Sequence, residues 1–228
     1  MRWINERLAA YEHVCRVYDA YLETLEPLCE KGCDTCCTVN VTVTSLEAWR
    51  IADYLVQAGR ADLFDVVCEA ADGKRFQPTL TMNAIAEICS RGEVVPEDVM
   101  DPAWGQCPLL ADHICPVYNL RPFACRCMVS THDCRNAGYA RTDDFTVTVN
   151  NIMMQYIEHI DQGGVTGNLL DMLLHMENPE TRHLYAAGER PSPPSGAVFN
   201  KPATVLLARP DDRGKLSPIL EQLNAQGR

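Results

Sequence analysis

The chain lacks a long hydrophobic run. No stretch of its 228 residues approaches the roughly 18 consecutive apolar residues that a membrane-spanning helix needs. Residues 1–7 already mix polar and apolar side chains and contain no apolar core of a secretory signal. We therefore expect a cytoplasmic protein without a membrane partner.

The sequence also has few basic residues. Twenty Lys and Arg stand against 31 Asp and Glu, which gives a formal net charge of −11. A protein that binds nucleic acid mainly through its phosphates needs a basic surface, so we expect no nucleic-acid partner. No pattern in the sequence identifies a protein partner.

Two kinds of catalytic motif are missing as well. The sequence has no glycine-rich loop of the type that binds dinucleotides or S-adenosylmethionine, and Gly163-Gly164 is better interpreted as a helix break. It has no Gly-x-Ser-x-Gly element, so nothing indicates a serine hydrolase. The sequence therefore assigns no catalytic residue and does not decide whether the protein is an enzyme.

Cysteine, by contrast, is abundant, with twelve residues. Dense disulfide frameworks usually stabilise secreted chains that are too small to form a core. This chain is 46 % hydrophobic and shows no export signal, so we expect reduced thiols, some of which bind metal. Cys15, Cys68 and Cys89 lie within predicted helices, and we expect them to be buried as small hydrophobic side chains.

The hydrophobic pattern predicts a mainly α fold, a compact helical domain with irregular cysteine-rich loops and a few short strands. An apolar stripe that starts at Ile4 and extends to Cys29 predicts a first helix, ended by Pro27 or Gly32. The sequence Thr44-Ser45-Leu46-Glu47 predicts a capping box for a helix that ends at Gly59. Further helices are predicted near residues 63–67, 81–90, 152–160 and 169–176.

Alternating β-branched residues predict extended segments at 39–43 and 145–149. A final helix is predicted to begin with Ser217 as its cap and Pro218 in its first turn. We assign residues 1–165 to a cysteine-cluster domain and residues 166–228 to a C-terminal helical appendage and tail. The sequence does not decide whether that appendage is a separate unit.

The cysteines form two clusters. The first has Cys-x3-Cys-x2-Cys-Cys spacing over residues 29–37, and such short spacings let a loop turn several sulfurs toward one metal. The adjacent Cys36 and Cys37 cannot easily point the same way, which indicates two metals or a polynuclear site. The cysteines of the second cluster, Cys107, Cys115 and Cys125, are too far apart for one tight loop. They can complete the first cluster if the chain returns to it.

Together these residues resemble the signature of the YkgJ-like cysteine-cluster family, whose members are described as zinc- or iron-chelating domains. The first cluster matches its Cys-x3-Cys-x2-Cys-Cys part. Its second part is matched by Cys107-Pro108-Leu109, Cys115-Pro116-Val117-Tyr118, Arg121-Pro122 and Cys125-Arg126. The resemblance covers about residues 25 to 130 and implies seven metal ligands: Cys29, Cys33, Cys36, Cys37, Cys107, Cys115 and Cys125.

Seven ligands do not divide into two four-coordinate sites, so we expect further ligands nearby. We add Cys127 to the predicted ligands, and then rank Cys134, His132 and His113 in that order. Two basic residues of the second cluster, Arg121 and Arg126, are expected to offset thiolate charge and to donate hydrogen bonds to sulfur. The alternative is that both are solvated surface charges.

An all-sulfur site suits zinc or iron, the latter including a 4Fe-4S cluster, and the ligands alone do not distinguish them. Three hypotheses follow. In the first, the protein binds or handles metal. In the second, it is an enzyme that uses a cluster for redox or group-transfer chemistry. In the third, it is a redox sensor whose thiols form disulfides and release metal.

Overall fold

The computed structural model describes residues 2–27, 29 and 31–225. This part of the chain is mainly helical with a small three-stranded sheet, which confirms the predicted fold class. No helix within it is both long and apolar enough to cross a membrane. The helices are α1 (Arg2–Leu22), α2 (Ser45–Gln57), α3 (Asp62–Ala70), α4 (Met82–Ser90), α5 (Phe123–Arg126), α6 (Cys134–Ala137), α7 (Asp144–Ile160), α8 (Leu169–Glu177), α9 (Pro179–Ala187) and α10 (Arg213–Asn224). The strands are β1 (Thr42–Thr44), β2 (Val165–Asn168) and β3 (Val198–Phe199).

Helix α1 is shorter than its apolar stripe predicts. It ends at Leu22, and the amide of Leu25 then donates to Leu22 O in a turn (3.0 Å). Pro27 lacks an amide donor and disfavours helical geometry in the residue before it, so the helix cannot continue to Cys29. Cys29 therefore lies in non-helical chain.

The predicted capping box of α2 is confirmed. Thr44 Oγ1 accepts from the Glu47 amide (3.4 Å), and Glu47 Oε2 accepts from the Thr44 amide (3.0 Å). The buried Glu47 carboxylate also accepts from Tyr11 OH (3.3 Å) and from the Phe123 amide (2.7 Å). One carboxylate thus connects α1, the start of α2 and α5.

The prediction of an extended segment at 145–149 is wrong, because these residues lie in the first part of α7. Asp143 caps this helix, and its Oδ1 accepts from the amides of Phe145 and Thr146, both at 3.0 Å. The alternation of β-branched residues resembles a strand locally, but the cap and the burial of Thr146 and Val149 favour a helix. The helix predicted at 152–160 is confirmed as the second half of α7.

The final helix also begins earlier than predicted. Helix α10 starts at Arg213, so Ser217 is not its cap and Pro218 lies inside it. A proline ring inside a helix crowds the carbonyl four residues before it, here that of Gly214. The helix is held by burial of its apolar side chains, which are Leu216, Ile219 and Leu223.

The three strands form an antiparallel sheet in the order β1-β2-β3. Thr42 pairs with Asn168, and Thr166 pairs with Val198. Strand β2 spans the predicted boundary at residue 165, α8 packs against α2 and α3, and α10 packs against α1. The elements beyond residue 165 therefore share one hydrophobic core with the N-terminal elements.

The three cysteines expected in the core differ in burial. Cys15 is buried on α1 as predicted, whereas Cys68 and Cys89 are exposed, so that prediction is wrong for both. Helices α3 and α4 are short, and each buries other residues, such as Val67 and Ala86. Because a short helix buries only a narrow stripe, Cys68 and Cys89 remain outside it.

The position of the Asp161 side chain explains why residue 164, in the break after α7, is glycine. The Asp161 carboxylate is buried and accepts from the Leu46 amide (3.2 Å), Tyr185 OH (2.5 Å) and Asn200 Nδ2 (3.0 Å). A Cβ at Gly164 would lie 2.5 Å from both of its carboxylate oxygens. Position 164 must therefore be glycine for this carboxylate to stay where it is.

Replacement of Glu47 by alanine should destabilise the fold. Glu47→Ala leaves buried donors without an acceptor, and each such donor costs about 1–3 kcal/mol, so we expect the free energy of unfolding to fall by about 2–4 kcal/mol. Glu6→Ala on the exposed face of α1 is the control, with an expected change within about 0.5 kcal/mol. Equal urea midpoints for the two variants would contradict the role of Glu47.

The buried carboxyl groups of Asp161 and Glu158 should make the stability of the fold depend on pH. Burial raises the pKa of both carboxyls to about 7, above the ordinary values of 3.8 and 4.5. Between about pH 4 and pH 7 the folded protein keeps protons that the unfolded chain has lost, so the free energy of unfolding falls as pH rises through this window. Urea unfolding at several pH values measures this fall, and Asp161→Asn should reduce it. A free energy of unfolding that rises across the same window would show the prediction to be wrong.

Candidate metal centre

Backbone hydrogen bonds join the two cysteine-rich segments. The Cys107 amide donates to Cys37 O (3.0 Å). One residue away on each segment, Thr38 and Gln106 form an isolated antiparallel bridge. The second segment therefore returns to the first and lies beside it.

One cleft of about 180 Å³ brings together the seven cysteines that the family resemblance implies. Apolar side chains, among them Leu22, Ile51 and Leu109, form much of the wall between them. The cysteines in the wall are Cys29, Cys33, Cys36, Cys37, Cys107, Cys115 and Cys125. Thiols from segments that are far apart in sequence thus face the same space.

Helix α5 positions the last of these cysteines. Phe123 at its start is buried, and its ring packs edge-on against Tyr18 of α1 with centroids 4.8 Å apart. Its amide donates to the Glu47 carboxylate, as described above. Cys125, two residues further on, is thereby held in the cleft wall.

Cys127 and Arg126 have other surroundings. Cys127 does not line the cleft; it is buried, and its thiol donates to Ala124 O (3.5 Å). Arg126 borders the cleft, but its Nη1 donates to Asp19 Oδ1 of α1 at 2.7 Å, in an ion pair. In the described residues, the Cys127 thiol therefore contacts α5, and the Arg126 guanidinium contacts α1.

Arg121 has an electrostatic effect on one of the cleft thiols. Its guanidinium stands 4.1 Å from the centroid of the Tyr118 ring, and Lys31 Nζ stands 6.0 Å from the same centroid. Burial raises the pKa of the Cys115 thiol, and the Arg121 charge opposes that rise. Arg121 is thus a cation that acts on a cleft cysteine.

The cleft disfavours free thiolates. Burial raises the pKa of Cys107 to about 11, and it raises the pKa of Cys125 well above its ordinary value. For Cys36, the hydrogen bond with the Cys37 thiol raises the pKa most, followed by burial. These thiols are neutral near pH 7, and a metal that binds them must displace their protons.

The donors fit zinc or iron in kind and number, but not yet in arrangement. Four thiolates complete a zinc site or hold an iron–sulfur cluster, and the cleft contains seven cysteines. In residues 2–27, 29 and 31–225, no three Cys, His, Asp or Glu side chains surround one point as ligands of a metal ion. Side chains must therefore rotate before several sulfurs can share a metal.

A carboxylate that sequence analysis missed also joins the two segments. Asp34 Oδ2 lies 2.8 Å from His113 Nδ1 and accepts from Gln106 Nε2 at 3.3 Å. His113 lines the cleft, and it shares with Asp112 a positive φ, of 63° and 49°, in a two-residue turn. Such turns usually contain Asn-Gly, so the sequence Asp-His does not signal one.

Comparisons of the chain with protein-family models, with curated proteins and with solved structures found no match. The resemblance to the YkgJ-like family therefore depends on the residues of the two cysteine clusters alone and stays a prediction.

Proposed function

We propose that this chain is a metal-binding protein that holds zinc or iron through the thiolates of its two cysteine segments. One observation carries the proposal: the seven cysteines line a single cleft although they span residues 29 to 125. All of them are free thiols, so they do not cross-link the segments. A shared metal ion is the chemistry for which several neighbouring thiols are suited.

Four of the seven form the best candidate ligand set. Burial raises the pKa of Cys125 most, and ionisation of Cys107, Cys115 or Cys36 would raise it further, so these three thiols are electrostatic neighbours of Cys125 in the cleft. Four cysteines are the usual ligands of a closed zinc site and of an iron–sulfur cluster. The bound metal would join two distant segments, and an iron–sulfur cluster would in addition carry an electron.

Purification without air or chelator, followed by elemental analysis and visible absorption, tests the proposal. Stoichiometric iron with sulfide-type absorption supports an iron–sulfur cluster, and colourless protein with stoichiometric zinc supports a zinc site. Protein that contains neither metal and takes up neither Zn²⁺ nor Fe²⁺ contradicts the proposed function.

Single cysteine variants test the ligand assignment. Cys36→Ser and Cys115→Ser each remove a thiolate, so we expect metal content to fall below about half of the wild-type value and the melting temperature to fall with it. Cys68→Ser, on the exposed side of α3, is the matched control and should keep all of its metal. Full metal content in both of the first two variants would show the assignment to be wrong.

A further inference from the structure

His132 is half-buried, and its two ring nitrogens have unusual surroundings. Both of its ring nitrogens are inaccessible to solvent and have no hydrogen-bond partner among the described residues. The ring packs edge-on against Tyr139, with centroids 5.1 Å apart. Burial of an unpaired polar group costs free energy, and coordination of a metal ion is one way to offset that cost.

The segment that carries His132 lies against the first cysteine cluster. The Ser130 amide donates to Cys29 Sγ (3.2 Å), and the hydroxyl of Ser130 donates to His132 O (2.9 Å). Further along, Arg135 Nη2 donates to Gly32 O (3.3 Å), next to the first-cluster Cys33. Two contacts therefore hold residues 130–135 beside Cys29 and Gly32.

Cys134 adds a thiol to this region. It is the first residue of α6, it is buried, and its Sγ donates to His132 O (3.7 Å). Cys29 is exposed, but partial burial still raises the pKa of its thiol, and ionisation of Cys134 or Cys33 would raise it further. Cys29 is therefore an electrostatic neighbour of both.

The thiols thus fall into two groups. Cys125 has Cys107, Cys115 and Cys36 as its neighbours, whereas Cys29 has Cys134 and Cys33, with Cys36 as a weaker neighbour. The second group includes a thiol from outside the family resemblance and lies beside a histidine whose nitrogens lack partners. Donors of this kind in this number match a common zinc ligand set.

We propose a second metal site of the three-cysteine, one-histidine kind that binds zinc, made of Cys29, Cys33, Cys134 and His132. It rests on the proposed function, because the first site takes Cys36, Cys107, Cys115 and Cys125. Binding of one Zn²⁺ breaks three S–H bonds, forms three Zn–S bonds and one Zn–N bond, and releases three protons to solvent. The four side chains do not surround one point as they stand, so they must rotate on binding.

The test is a zinc titration of the metal-free, reduced full-length protein, with bound zinc counted by elemental analysis after desalting. The wild-type chain should bind two Zn²⁺, and Cys134→Ser and His132→Ala should each bind one. His183→Ala, exposed on α9, and Cys68→Ser are matched controls that should bind two. Cys107→Ser should lose the other equivalent and keep the site at His132.

Cobalt substitution gives a second readout that does not depend on counting. Co²⁺ in the site should show sulfur-to-cobalt absorption, and His132→Ala should change this band in the Cys107→Ser background, where only the second site remains. Circular dichroism establishes that each variant is folded before it is loaded.

The outcomes separate the two proposals. Two equivalents of zinc in both Cys134→Ser and His132→Ala, or a single equivalent in the wild-type chain, would overturn the second site and leave the proposed function standing. Failure of the wild-type chain to bind any Zn²⁺ or Fe²⁺ would overturn both. Loss of one equivalent in each of the two variants, with intact controls, supports the second site.

Discussion

The position of both cysteine segments depends on the buried carboxylate of Glu47. It accepts hydrogen bonds from Tyr11 on α1, from Thr44 at the start of α2 and from Phe123 at the start of α5. The first cysteine cluster follows α1, and Cys125 lies on α5. A helix capping motif therefore also links α1, which precedes the first cluster, to α5, which carries Cys125.

How far the sequence predicts this fold depends on how local each signal is. The capping box at Thr44 and Glu47 and the stop at Gly59 act within a few residues, so the bounds of α2 were predictable. The segment 145–149 was misassigned because its alternation is also local, while the burial that favours a helix there comes from distant chain. The pairing of Thr42 with Asn168 joins residues more than a hundred positions apart, and no local pattern signals it.

The same distinction holds for the cleft. The short spacings around Cys33 and Cys36 predict a set of metal donors, because spacing is a property of the sequence itself. The contacts of Asp34 with His113, and of the Ser130 amide with Cys29 Sγ, arise only when loops fold against one another. Sequence reasoning therefore preferred Cys127 as an additional ligand, whereas the cleft wall includes His113 and not Cys127.

Burial and charge together are the physical grounds for proposing a cation among these thiols. The apolar wall that raises the pKa of Cys107 to about 11 would make several free thiolates in one cleft unstable, in a chain whose formal net charge is already −11. Among the described residues, Arg121 and Lys31 lie at the Tyr118 ring beside the cleft, and Arg126 in the wall pairs with Asp19, so these cations are too few for seven thiolates. Neutral thiols, in turn, contribute little that aliphatic side chains would not contribute to such a wall. The proposed divalent metal ion would remove this conflict, because it would balance two thiolate charges, and the burial that opposes free thiolates would then strengthen their attraction to the ion.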